Sequence, residues 1–282
     1  MPLSSLFSLL AVLQTAPAPG PVLPDSGPTI AGKGAPSFTI PRIDGAEAEL
    51  RIDGVLDEPA WARAARLTGF HGFQPVDGRP AEERTEVRVW YSATAIHFGI
   101  VAEDRSPASI RATMADRDNI DQEDRVTIYL DTFDDRRRAF VFSVNPLGVQ
   151  QDGVRSEGAS NAGSLFGGSV DLNPDYHFES KGRVTGRGYE VEVRIPFKSL
   201  RYPAGSRQRW GINVTRNVQR TGYEDTWTDV RRGSASFLAQ SAVMEGLHDL
   251  QRGVVVEAQP FVTAIATGAR DSADAFVRSS ME

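Results

Sequence analysis

The sequence predicts an all-β protein, an antiparallel β-sandwich of jelly-roll type with one short helix near the start of the domain. Three observations predict it. From Ile43 onward short segments alternate apolar and polar residues, the period of a strand with one buried face. Turn-forming residues separate these segments in pairs, as hairpins require. A stretch with helical character occurs once.

In chain order, the helix comes first, over Glu58 to Leu67, with Asp57 as N-cap and Pro59 in the first turn, where its missing N–H costs nothing. Val87, Val89 and Tyr91 then alternate with Glu86, Arg88 and Trp90. A turn at Ser92–Ala95 returns the chain along Ile96–Val101. A second hairpin pairs Val126, Ile128 and Leu130 with Phe140, Phe142 and Val144 across an Asp-rich turn ending near Asp135. A third pairs Phe178–Val184 with Tyr189–Ile195 around Thr185-Gly186-Arg187-Gly188, whose glycines suit a tight turn. Trp210, Ile212 and Val214 line one face of a further strand, with Asn213 on the other. The late segment Val254–Ile265 is strand-like and reads either as an edge strand or as the opening of a further region.

The domain plan is a signal peptide over 1–18, a Pro/Gly-rich linker over 19–42, the sandwich over 43–252, and the start of a C-terminal, barrel-like region over 253–282. The leader's apolar run Leu6–Leu13 is too short to span a bilayer and is followed by small residues, as in a signal peptide, although no Lys or Arg precedes it. The expected location is therefore the periplasm or outer membrane. A chain of 282 residues can bury a core without covalent staples. Its net charge of -6 argues against nucleic acid as a partner, since affinity for a phosphate backbone comes from clustered Lys and Arg. The absence of Cys removes disulfides, thiolate nucleophiles and Cys-based zinc sites together.

The segment Ile52-Asp53-Gly54-Val55-Leu56-Asp57-Glu58-Pro59-Ala60-Trp61 closely resembles the opening signature of family 9 carbohydrate-binding modules. The resemblance continues through Asp124-Arg125-Val126, Val144-Asn145-Pro146-Leu147-Gly148, Ile195-Pro196-Phe197-Lys198-Ser199-Leu200-Arg201 and Trp210-Gly211-Ile212-Asn213. It implies a β-sandwich that binds a glycan or oligosaccharide. In detail it looks most like the subgroup found at the N-terminus of envelope proteins that end in an outer-membrane β-barrel domain of the DUF5916 type. That implies a barrel in the same polypeptide as a second partner.

Sugar-binding modules of this family clamp a pyranose between two tryptophans, because the sugar's C–H faces stack on aromatic faces. Trp61 and Trp210 read as core residues. That leaves Trp227, in a polar run, and Trp90, on the Arg88 face, as the candidate clamp, with Tyr223, Asn213 and Arg216 as neighbouring ligand-binding residues. Asp116, Asp118, Asp121 and Asp124 offer hard oxygen ligands of the kind Ca²⁺ takes, and structural calcium occurs in the resembled family. The stretch lacks the Gly and terminal Glu of a helix–loop–helix calcium loop, and Arg117 and Arg125 can neutralise these carboxylates instead.

No catalytic constellation is visible. Glu190 and Glu192 point in parallel from one strand face, which reads as a solvated polar surface and not as a pair flanking a glycosidic bond. The four histidines lack zinc-site spacing, and no Gly-x-Ser-x-Gly elbow occurs. The expected function is a non-enzymatic carbohydrate-binding module. The alternatives are a cap or plug for an outer-membrane barrel, and the accessory part of a glycoside hydrolase whose catalytic domain lies elsewhere.

Overall fold

A computed structural model describes residues 25–158, 168–234 and 236–253, together with the backbone of two strands at 266–270 and 276–281. The expected signal peptide and the strand-like segment at 254–265 fall outside the described residues. The chain separates into two units, Met1–Arg252 and Gly253–Glu282.

The regular structure described in the larger unit is mostly strand: β1 (Thr29–Ala31), β2 (Ser37–Thr39), β3 (Ala65–Thr68), β4 (His71–Gln74), β5 (Thr85–Tyr91), β6 (Ala95–Glu103), β7 (Arg125–Asp131), β8 (Arg138–Val144), β9 (Gln150–Glu157), β10 (Gly168–Asp171), β11 (Glu179–Thr185), β12 (Gly188–Pro196), β13 (Arg207–Val218), β14 (Tyr223–Thr226) and β15 (Ala242–His248). One sheet runs β1-β3-β5-β6-β12-β11. The other runs β10-β9-β8-β7-β13-β14-β4, and β15 joins it on β13 with β2 alongside. All pairings are antiparallel except β1 with β3 and β15 with β2. In the second unit β16 (Ala266–Arg270) pairs antiparallel with β17 (Phe276–Met281).

Period-two alternation explains the layers. Val87, Val89, Phe98, Ile100, Val191 and Val193 of the first sheet are fully buried, as are Ile128, Leu130, Phe142, Ile212 and Val214 of the second, and all belong to one core. The three predicted hairpins form as expected, β5–β6, β7–β8 and β11–β12. Trp61 and Trp210 are interior.

Two expectations need correction. The helix α1 spans only Pro59–Arg63 and has Glu58, not Asp57, at its N-cap position. Its predicted second half is β3, because Ala65 and Leu67 are drawn into the core as alternate residues of a strand. Nor is the stretch before Ile43 wholly a linker. β1 and β2 lie within it, and Phe38 and Ile40 are core residues. These three-residue strands pair with partners far away in sequence, so no local hairpin signal announces them.

The Asn-Pro-Leu-Gly motif is structural. The Asn145 carboxamide oxygen accepts the N–H groups of Leu147 (2.9 Å) and Val149 (2.8 Å), while its amino group donates to Glu123 (2.6 Å) and the Thr113 carbonyl (2.8 Å). Gly148 closes the turn at φ +82°, and a Cβ there would stand 2.6 Å from the Lys181 Cα of β11. Gly148→Ala is expected to cost about 2 kcal/mol or more through backbone strain and displacement of β11. A denaturant midpoint within error of wild type at unchanged m-value would contradict this packing.

Candidate functional site

Four of the five predicted ligand-binding residues lie inside the protein. Trp227 is fully buried: the Phe38 ring meets it edge-on at 5.4 Å and its indole N–H donates to the Thr68 carbonyl (3.2 Å). Trp90 is fully buried between Trp61 at 6.0 Å and the stacked ring of His97 at 3.9 Å. The two tryptophans are therefore core residues and not a clamp, because segments read as linker or helix fold over them. Asn213 is buried and its carboxamide oxygen accepts the N–H groups of Val214 (2.8 Å) and Thr228 (3.2 Å). Arg216 is buried and ties the two sheets together, donating to the carbonyls of Arg84 (3.2 Å) and Glu103 (2.8 Å) and to the Thr85 hydroxyl (3.1 Å). Only Tyr223 is partly exposed, with the Arg79 guanidinium 4.7 Å above its ring.

The predicted calcium ligands do not converge either. Among the described residues, no three of Asp116, Asp118, Asp121 and Asp124 bring their oxygens together; Asp118 instead meets Asp152 and Asp175. A cation already stands there. The Arg117 guanidinium bonds the buried Asp152 carboxylate, donates to the Tyr176 carbonyl (2.7 Å) and Gln150 (2.7 Å), and lies 3.7 Å from Asp175 and 3.9 Å from Asp118. Asp124 is buried and accepts the Arg111 N–H (2.8 Å), while Asp121 pairs with Arg125 (3.5 Å). Of the four, Asp118 and Asp121 are paired with arginine, the alternative open in the sequence, through Arg117 and Arg125.

The outer face of the six-stranded sheet holds the arrangement best suited to a ligand. Register places Trp90, His97, Arg194 and Glu179 in one row across β5, β6, β12 and β11, and Arg88, Gly99, Glu192 and Lys181 in the next. The segment from Ile43 to Ala64 lies over this face as a strap, with Leu56 and Trp61 on β5–β6 and Asp53–Gly54 on Glu192 of β12. Ile43, Ala60, Trp61 and Ala64 pack on Trp90, joined by Leu50 and Leu56. Gly99 makes room for the strap, since a Cβ there would lie 2.7 Å from Leu56 and 2.9 Å from the Trp61 ring.

Beside the Ala48–Arg51 stretch of the strap a cavity of about 500 Å³ opens, within the usual range for small-molecule sites. His97 forms part of its lining. Arg194 and Glu179, paired at 2.6 Å, form one side, and Ala48, Glu49, Leu50 and Arg51 of the strap form the other. His97 is buried, and neither of its ring nitrogens has a protein partner. Burial, reinforced by the neighbouring Arg194 charge, lowers its pKa to about 3, so at neutral pH the imidazole is uncharged and carries one donor and one acceptor, both just beneath the cavity surface. The flanking charges, two carboxylates and two guanidinium groups, balance. The arrangement can hold a neutral polyhydroxylated group: hydroxyls both donate and accept, and Leu50 adds an apolar wall.

Pairing the β5–β6 hairpin in the sequence puts Trp90 opposite His97, but nothing there shows that the strap would cover one and leave a cavity beside the other. The same strap overturns the reading of Glu192 as solvated. Glu192 is fully buried beneath it, whereas Glu190 stays near the surface, paired with Arg183 at 2.7 Å.

No curated protein matches the chain. Among solved structures it is similar to a family 9 carbohydrate-binding module from Caldicellulosiruptor kristjanssonii in complex with cellotriose, at 15% identity and a TM-score of 0.48, over 81% of this chain and 100% of that one. It is likewise similar to a module from the same organism in complex with glucose, at 15% identity and a TM-score of 0.48, over 78% of this chain and 100% of that one. Residues 52–233 match the carbohydrate family 9 binding domain-like family, and on that match, which takes in most strands of both sheets and the α1 signature, the chain belongs to this family.

Proposed function

We propose that this domain is a glycan-binding module of an exported envelope protein, and that it holds a terminal sugar unit in the cavity lined by His97. Family membership supports the class of ligand, and the structures of related modules are described with cellotriose and glucose. The observation that carries the location is the buried, uncharged His97, with two unpartnered nitrogens, lining a charge-balanced cavity. An unpartnered buried polar group costs about 1–3 kcal/mol, and a ligand hydroxyl pair would recover it.

The test is calorimetric titration with glucose, cellotriose and a panel of other neutral and acidic oligosaccharides, on wild type and His97→Leu. Replacing a buried unsatisfied group by an apolar one removes that cost, so the variant should be at least as stable as wild type. Loss of two neutral hydrogen bonds should weaken binding at least tenfold, about 1.4 kcal/mol or more. Binding that survives His97→Leu unchanged would move the site elsewhere.

A second reading, a cap for an outer-membrane barrel in the same polypeptide, is favoured by the burial of all four tryptophans, which leaves no indole platform on the surface. It gains if no sugar on the panel binds and if the coding sequence beyond Glu282 continues as segments of about ten alternating residues.

A further inference from the structure

The strap is held by a pair of carboxyl groups that share one donor. The Glu192 carboxylate accepts the backbone N–H groups of Asp53 and Gly54, both at 2.8 Å, through one oxygen, and the Trp61 indole N–H at 3.1 Å through the other. Glu58, at the start of α1, faces the same indole N–H at 3.1 Å and accepts the Arg51 N–H at 3.3 Å. An indole nitrogen has a single proton to give. Two carboxyl groups therefore converge on one N–H where water is scarce, each within hydrogen-bonding reach of it.

The surrounding charges do not resolve the conflict. Asp53 and Asp57 of the strap add negative charge near Glu58. Arg88 of β5 reaches the Trp61 carbonyl at 3.5 Å but is engaged by Glu86 (3.0 Å) and Asp25 (3.2 Å). Lys181 of β11 stands opposite Glu192 in register but is exposed. On β12 itself, Arg194 is paired with Glu179 and Glu190 with Arg183. Arg51 is largely exposed and turned to Asp53 at 3.8 Å.

We propose that Glu58 and Glu192 form a proton-holding latch: with one proton between them the strap is clamped to the sheet, and with both ionised their repulsion loosens it. The direction of titration agrees. Burial first, and then the Glu58 charge, raise Glu192 to about 7 against the hydrogen bonds it accepts, and burial also raises Glu58. A carboxyl raised in the folded state adds stability that is complete below the ordinary glutamate range and lost as pH rises through about 7. The strap also carries Ala48–Arg51, one side of the His97 cavity, so acidification should tighten that site. This last step rests on the glycan reading; the latch does not.

The latch is read without sugar, by hydrogen exchange of the intact chain at pH 5.5, 6.5 and 8.0, expressed as protection factors. Peptides covering residues 49–60 should lose about tenfold in protection between pH 5.5 and 8.0, while β8–β9 peptides stay constant. In Glu192→Gln the strap peptides should show no such dependence. Equal pH dependence in both proteins, or none in wild type, would overturn the proposal. Carboxyl carbon NMR of wild type supplies a check that needs no variant: one glutamate should titrate near pH 7, and its absence would refute the latch. Cellotriose affinity at pH 5.5 and 8.0 then tests the coupling, with tighter binding at pH 5.5 expected in wild type only.

Discussion

Trp227→Ala should destabilise the domain by about 3–5 kcal/mol, the cost of emptying a large aromatic site in a packed core. For a domain of this size that corresponds to a fall of roughly 6–20 °C in the unfolding midpoint. The side chain is fully buried, packs edge-on against Phe38 and satisfies the Thr68 carbonyl, so the loss combines hydrophobic transfer, a cavity and one hydrogen bond. Sugar affinity measured well below the new midpoint should match wild type. A variant that melts like wild type but no longer binds sugar would restore the clamp expected from the sequence and refute the burial of Trp227. Thermal unfolding followed by circular dichroism, paired with calorimetry at low temperature, separates the two outcomes.

Arg117→Ala should cost about 2–4 kcal/mol, because it strands the buried Asp152 carboxylate beside Asp118 and Asp175. Arg117 is itself partly exposed, so water will screen some of the loss. Burial already raises the Asp152 carboxyl, and the Tyr176 N–H and Arg117 oppose that rise. Without the guanidinium the carboxyl should rise further, and the variant should become relatively more stable toward acid pH as Asp152 takes up a proton. The three carboxylates would also be free for a hard cation, so millimolar Ca²⁺ should raise the variant's unfolding midpoint and leave that of wild type unchanged. A wild-type midpoint that climbs with Ca²⁺ would show that arginine and metal are not alternatives here.

Several features of this domain are local properties of the chain, which is why they could be read from it. Alternation at Val87–Tyr91, Val126–Leu130 and Trp210–Val214 marks a buried face whatever lies opposite, and the turns at Ser92–Ala95 and Gly186–Arg187 bring neighbouring strands together. The interior placement of Trp210 follows from the same alternation, and that of Trp61 from the opening signature to which it belongs. Other features depend on which distant segment covers a given face. Phe38 reaches Trp227 because β2 pairs with β15 some two hundred residues later, and no property of three residues in a Pro- and Gly-rich stretch encodes that partner. On the polar face of β12, Glu190 stays near water and Glu192 does not, because the strap lies over one and not the other. The amino-acid order alone settled the two-layered sheet architecture and the family. Tertiary packing decided which aromatic and charged side chains reach solvent, because exposure belongs to the whole assembled surface while alternation belongs to each strand.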